Sequence, residues 1–180
     1  MLRKYFNFVF PLIFFLVIII FSSIAIITNI NKKEFSSLSM SPLIGKKSPE
    51  IFIESLTENE KIFQINKFIG KPLIINFFAS WCIPCQIENK HLIEISKNYQ
   101  VVGIAYKDSP KNTFEFLKKF GNPYINIGDD KLGEVGLAWG IYGIPETFVL
   151  DKHGVIKFKH AGPIDKKIKN EILNFLNNSI

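Results

Sequence analysis

Two apolar runs organise the chain. LIINFFA (Leu73–Ala79) and VVGIAY (Val101–Tyr106) are short, nearly continuous and rich in β-branched and aromatic residues, the pattern of central strands buried on both faces. Weaker runs flank them. IFIESL (Ile51–Leu56) predicts a short strand, YINIG (Tyr124–Gly128) a third core strand, and ETFVLD and VIKFKHA the two arms of a hairpin turning at KHG. Between the strands the apolar period changes. Gln86 to Asn98 sets Ile87, Leu92, Ile93 and Ile95 among polar residues in a helical pattern. Ser109 as N-cap and Pro110 at the first helical position open a second helix, on which Phe114, Leu117 and Phe120 line one face until Gly121 stops it. FQINKFIG (Phe63–Gly70) reads as a turn or short helix, another short helix lies within Leu132–Trp139, and a last one runs from about Asp165 to Asn177. Strand and helix alternate, then a hairpin and a helix follow, which predicts an α/β fold with a mixed central sheet flanked by helices.

One segment does not fit a water-soluble domain. Phe8 to Thr28, FVFPLIFFLVIIIFSSIAIIT, is uncharged and long enough to cross a hydrocarbon layer of roughly 30 Å as a helix. A cleaved signal peptide, with Ser23 and Ala25 near the cleavage site, is the competing reading, but the run exceeds the about 7 to 15 residues of a signal core, which favours a retained N-terminal transmembrane helix. Arg3 and Lys4 before it and Lys32 and Lys33 after it orient it only weakly. Residues 1–28 are thus expected to be a membrane anchor, the Ser-rich NINKKEFSSLSMS of residues 29–41 a linker, and residues 42–180 the folded domain.

Composition narrows the function classes. The formal charge of +6 comes from lysines scattered along the chain, without the basic stripe interleaved with aromatics that a nucleic-acid partner requires. The two cysteines, Cys82 and Cys85, stand together in FFASWCIPCQIE, where a buried strand hands over to a helix. At such a junction the unpaired N–H groups and the positive end of the helix dipole stabilise a thiolate, below the free value of about 8.5. Covalent haem attachment needs a His after the second cysteine, where Gln86 stands. A zinc site needs further ligands, and His91, His153 and His160 fall in separate elements, so no metal is expected. A structural disulfide closing so short a loop removes little chain entropy. Redox exchange is left, with Cys82 the more exposed nucleophile and Cys85, one turn inside, the resolving thiol; the redox-active Cys82–Cys85 disulfide then serves in place of a cofactor.

Two further features bear on it. Pro145 after Gly143 and Ile144 stands at a strand start, where it is either an ordinary turn proline or a cis proline that leaves the strand edge open to a guest chain. Glu88 lies one turn beyond Cys85 on a similar helix face, and Glu146 follows Pro145; each is either a solvated surface carboxylate or a group that tunes the thiols.

ASWCIPC after LIINFF, with GIPETF further on, resembles the thioredoxin fold, and more narrowly the membrane-anchored periplasmic thiol:disulfide interchange proteins of cytochrome c maturation, the DsbE/CcmG family. The matching blocks PLIGKKSPEIFIESL, GKPLIINFFASWCIPCQIE, VVGIAYKD, FGNPY and YGIPETFVLDKHGVIKFKHAG run in order from about Pro42 to Gly162, and GNPYINIGDDKLGEVGLAWG is similar to the family's insert. The resemblance implies a protein disulfide reductase. It would take electrons from a membrane thiol transporter of the DsbD/CcdA type and pass them to apocytochrome c, or to a thioredoxin-like maturation partner, at the periplasmic face of a bacterial inner membrane. It also implies that Cys82 attacks and Cys85 resolves, that Trp81, Ile144 and cis Pro145 border the substrate groove, and that Glu88 and Glu146 make the site acidic. Asn76 stands where plain thioredoxins carry a buried Asp, which leaves Glu88 as the candidate proton acceptor for Cys85, and Ile83-Pro84 between the cysteines departs from members that place Pro first. A general periplasmic thiol reductase or oxidant, and a metallochaperone, are the alternative functions.

Overall fold

The computed structural model describes residues 11, 13–24, 26, 41–57 and 61–177, in two units, Met1–Leu38 and Ser39–Ile180. In the first unit residues 13–24 are helical. Among the described residues no helix is long and apolar enough to cross a membrane. The expected span Phe8–Thr28 lies partly, and the linker 29–41 almost wholly, outside the described residues.

The second unit is built on a seven-stranded mixed sheet. Its strands are β1 (Ile53–Ser55), β2 (Ile62–Phe63), β3 (Leu73–Phe78), β4 (Gln100–Tyr106), β5 (Asn126–Asp130), β6 (Glu146–Leu150) and β7 (Ile156–Ala161), in the spatial order β2-β1-β5-β4-β3-β6-β7. β3, β4 and β5 are parallel, whereas β1, β2, β6 and β7 pair antiparallel. The helices are α1 (Ile83–Ser96), α2 (Pro110–Phe120), α3 (Glu134–Ala138) and α4 (Lys166–Asn177), and Ile65–Phe68 forms a short 3-10 turn.

Every residue of β3 is buried, and its alternation divides the core between the two faces of the sheet. Ile74 and Phe78 pack with Cys85, Leu92 and Ile95 of α1, Phe116 and Leu117 of α2, and Ile172 and Leu176 of α4. Leu73, Ile75 and Phe77 face the other way, against Val102, Ile104, Phe148 and the buried Trp139. Trp139 and Phe148 lie edge to face with ring centroids 5.0 Å apart.

Three local expectations shift. Cys82 caps α1, so that helix begins at Ile83 rather than Gln86. β5 starts two residues later than YINIG suggests, because pairing with β4 begins at Asn126 opposite Val102. On α2 the buried face carries Thr113, Phe116 and Leu117, with Phe114 46% exposed, so the i, i+3, i+4 stripe begins one residue earlier than expected. Ser109 caps that helix as expected, its Oγ accepting from Asn112 N, and Gly121 ends it at φ 93°.

Candidate active site

β3 ends at Phe78, and the chain turns through Ala79, Ser80 and Trp81 before α1 opens. This turn lies at the C-terminal edge of the parallel strands, where a ligand or partner meets an open α/β sheet. Cys82 is the N-cap of α1: its backbone is extended (φ −89°, ψ 104°) and its Sγ accepts from Cys85 N at 3.2 Å. Cys82 and Cys85 form a disulfide, with Cα atoms 5.3 Å apart. Both are buried, at 4% and 2% exposure, so in the disulfide form exposure does not separate nucleophile from resolving thiol, contrary to expectation. Their positions differ, since Cys82 sits where helix N–H groups converge and Cys85 lies inside the first turn.

A turn after β4 holds the approach to Cys82. Asp108 accepts from Ser80 N (2.6 Å) and Ser80 Oγ (2.9 Å), and also from Ser109 N (2.8 Å) and Thr113 Oγ1 (3.2 Å). The neighbouring Lys107 adopts a left-handed backbone at φ 47°, which costs a non-glycine residue about 1 kcal/mol. Its carbonyl accepts from Trp81 Nε1 at 3.3 Å, while the Trp81 ring is 58% exposed at the rim.

Glu88 is not a surface carboxylate. Its side chain is buried among α1, β3 and the chain that leads into α4, with Oε1 accepting from Asn76 Nδ2 at 2.9 Å and Oε2 from Ile164 N at 2.9 Å. Burial pushes its pKa up to about 7 from the ordinary 4.5, against the two hydrogen bonds, which pull it back down. Asn76 has every polar atom engaged. Its Nδ2 also donates to Thr147 Oγ1 at 3.0 Å, and its Oδ1 accepts from Tyr124 Oη at 2.7 Å. Burial, and then the Glu88 charge, hold the Tyr124 phenol well above its ordinary range, so it stays a donor. Gly103 makes room for that ring, since a Cβ there would lie 2.8 Å from it.

The Ile144–Pro145 peptide bond is cis, directly before β6. Glu146 is buried too, but unlike Glu88 it meets a cation: its Oε2 lies 2.8 Å from Lys159 Nζ, and its Oε1 accepts from Tyr142 N (2.7 Å) and Gly143 N (3.3 Å). The expectation of two acidic side chains at the site is corrected to one unpaired acid, Glu88, and one ion-paired carboxylate. Among the described residues no three His, Cys, Asp or Glu side chains converge to hold a metal ion.

Sequence reasoning named the cysteines, Trp81, Ile144, Pro145 and both glutamates, and assigned no role to Asp108, Tyr124, Thr147 or Lys159. Asp108 and Tyr124 close the blocks VVGIAYKD and FGNPY, which was the available signal; nothing in their spacing ties them to Cys82.

A paired-cysteine turn between a central strand and a helix, on a mixed sheet with a cis proline opening a neighbouring strand, defines a thioredoxin-fold thiol:disulfide oxidoreductase. The family model described as Redoxin matches residues 43–174. The thiol:disulfide interchange protein DsbE of Pasteurella multocida is 37% identical over 164 residues, covering 90% of this chain and 90% of that protein. DsbE of Escherichia coli strain K12 is 38% identical over 133 residues (73% and 72%), and the thiol:disulfide interchange protein HelX of Rhodobacter capsulatus 36% over 127 residues (70% and 72%). The thioredoxin domain of a thiol-disulfide oxidoreductase from Bacteroides vulgatus superposes with a TM-score of 0.64 at 21% identity, over 76% of this chain and all (100%) of that one, a likeness of fold. The chain belongs to the DsbE family of thiol:disulfide interchange proteins.

Proposed function

We propose that this protein is a membrane-anchored reductant of cytochrome c maturation, with its domain in the periplasm of a bacterium. It draws electrons from a membrane thiol transporter of the DsbD/CcdA type and delivers them to the haem-binding cysteines of apocytochrome c, or to a thioredoxin-like partner that reduces them. Membership of the DsbE family supports this, as do the GNPY and Tyr-Gly-x-Pro-Glu-Thr-Phe blocks, and the uncharged run Phe8–Thr28 supports the anchor.

The observation that carries the reductive direction is the setting of Cys82. Its Sγ takes the Cys85 N–H, and the intervening Ile83 and Pro84 bring no positive charge to it. Strongly oxidising members of the fold owe their potential to a highly stabilised reduced form, and a thiolate held by helix N–H groups alone gains less of that stabilisation.

In the reaction, the Cys82 thiolate attacks one sulfur of the client disulfide, forming a mixed disulfide and releasing the first client thiolate. Cys85 gives its proton to the Glu88 carboxylate, one turn on, and its thiolate attacks Cys82 Sγ. The second client thiolate leaves and the Cys82–Cys85 disulfide closes, two electrons having passed to the client. Glu88, titrating near 7, both takes and returns that proton at neutral pH. Trp81, Ile144 and Pro145 border the groove that receives the client chain.

Deleting the gene and assaying holo-cytochrome c tests the reading. Loss that is rescued by an added thiol reductant is expected, and normal holo-cytochrome c without one would overturn it. A measured potential near about −120 mV would instead make the protein an oxidant.

A further inference from the structure

Lys159 is the most completely buried cation of the described domain, and thiol exchange makes no use of it. Its side chain has 0% exposure. Nζ pairs with Glu146 Oε2 at 2.8 Å, donates to Gly140 O at 2.9 Å, and lies 5.0 Å and 5.2 Å from the ring centroids of Tyr142 and Phe148. The ammonium thus makes one hydrogen bond to a carbonyl, one ion-pair contact and two contacts with aromatic faces. Glu146 completes the loop's attachment by accepting from Tyr142 N and Gly143 N. The pair therefore grips residues 140–143 at both ends, through the Gly140 carbonyl and the Tyr142 and Gly143 amides, immediately before Ile144 and Pro145. Tyr142, whose ring covers the ammonium, is itself 88% exposed.

Buried ion pairs contribute little net stability compared with apolar residues of the same volume, so a pair kept at this position is better explained by the geometry that it enforces. We propose that Lys159 is a positioning residue for polypeptide substrates: through Glu146 it sets the loop 140–143, and with it the groove wall at Ile144 and Pro145. The inference rests on that groove receiving the client chain. It reassigns Glu146 from an acid at the thiols to the inner half of a clamp. Residues that hold substrate rather than react with it shift KM more than kcat.

The test compares the reduced protein acting on a synthetic disulfide-containing peptide of about ten residues, which fills the groove, with its action on hydroxyethyl disulfide, which does not. Lys159→Met keeps the volume but leaves the Glu146 carboxylate buried without its cation. Followed as a single turnover of the reduced protein, the expected result is a half-saturating peptide concentration raised roughly tenfold, with a far smaller change in the maximal rate and in the hydroxyethyl disulfide rate. Glu146→Gln with Lys159→Met removes both charges, keeps an acceptor for Tyr142 N, and is expected to recover most of the peptide preference. A folded Lys159→Met protein with native peptide preference overturns the inference, and so does a double variant no better than the single one. Should Lys159→Met fail to fold, Glu146→Gln alone decides, because it leaves Lys159 uncompensated and should lose the same preference. If the native protein shows no preference for the peptide, the groove reading fails, and the inference with it.

Discussion

Asn76 Nδ2 donates to Glu88 Oε1 at 2.9 Å, joining the central strand to the helix that carries Cys85. An amide suits this position for a physical reason. Two carboxylates at hydrogen-bond distance cannot both ionise, whereas an amide donates to Glu88 and to Thr147 while accepting from Tyr124.

Asn76→Asp is therefore expected to create a coupled pair that shares one proton, raising the apparent pKa of the carboxyl that gives it up last. In the oxidised form, where the cysteines do not titrate, the variant should lose on the order of 1 kcal/mol more stability than the native protein between pH 5 and pH 8, because the shared proton is held across the whole window. Urea unfolding at the two pH values measures it, and equal losses would contradict the geometry.

Glu88 itself makes stability depend on pH. It keeps its proton in the fold up to about pH 7 but releases it near the ordinary 4.5 when unfolded. Between those values the native state binds more protons than the unfolded state, so stability falls as pH rises, by on the order of 2 to 3 kcal/mol from pH 5 to pH 8. His160 works in the opposite sense: burial lowers its pKa below 6.5, and stability rises as its unfolded form deprotonates. Comparison with Glu88→Gln isolates the carboxyl. That variant should lack the downward slope, while being less stable at pH 5, because it offers one acceptor where two N–H donors point.

Asp108→Ala should cost roughly 3 kcal/mol, since it strips partners from Ser80 N, Ser80 Oγ, Ser109 N and Thr113 Oγ1 at a largely buried site. Thermal unfolding reads the loss; a change below about 0.5 kcal/mol would show that water replaces the carboxylate.

Cys85→Ala should accumulate mixed disulfides through Cys82, because the attacking thiol remains and the resolving one is gone. Non-reducing electrophoresis of the captured species tests this and supplies the client for identification. Capture by Cys82→Ala instead would exchange the two roles.

Elements whose evidence is local were legible in the chain. The apolar runs of β3 and β4, the Ser109 cap and the Gly121 stop each depend on residues within a few positions of one another. Phe114 misled because two aromatics stand two residues apart on α2, and only packing against Phe78 selects Phe116 as the inward one. Lys159 was illegible for a related reason: in KFKHA it alternates like a solvated strand lysine, and it is buried because Glu146, Gly140 and Tyr142 surround it.

The sequence by itself determined that Cys82 and Cys85 stand where a buried strand hands over to a helix and that Glu88 follows one turn beyond Cys85, because helical spacing is a property of the local chain. The surroundings of that glutamate were decided by tertiary structure alone. The register of β3 on β6 sets Asn76 opposite Thr147, Tyr124 reaches Asn76 from 48 positions away, and Ile164 N reaches Glu88 from 76. Those contacts remove Glu88 from water, and desolvation, which no local pattern encodes, turns an ordinary carboxylate into an acid that titrates near 7.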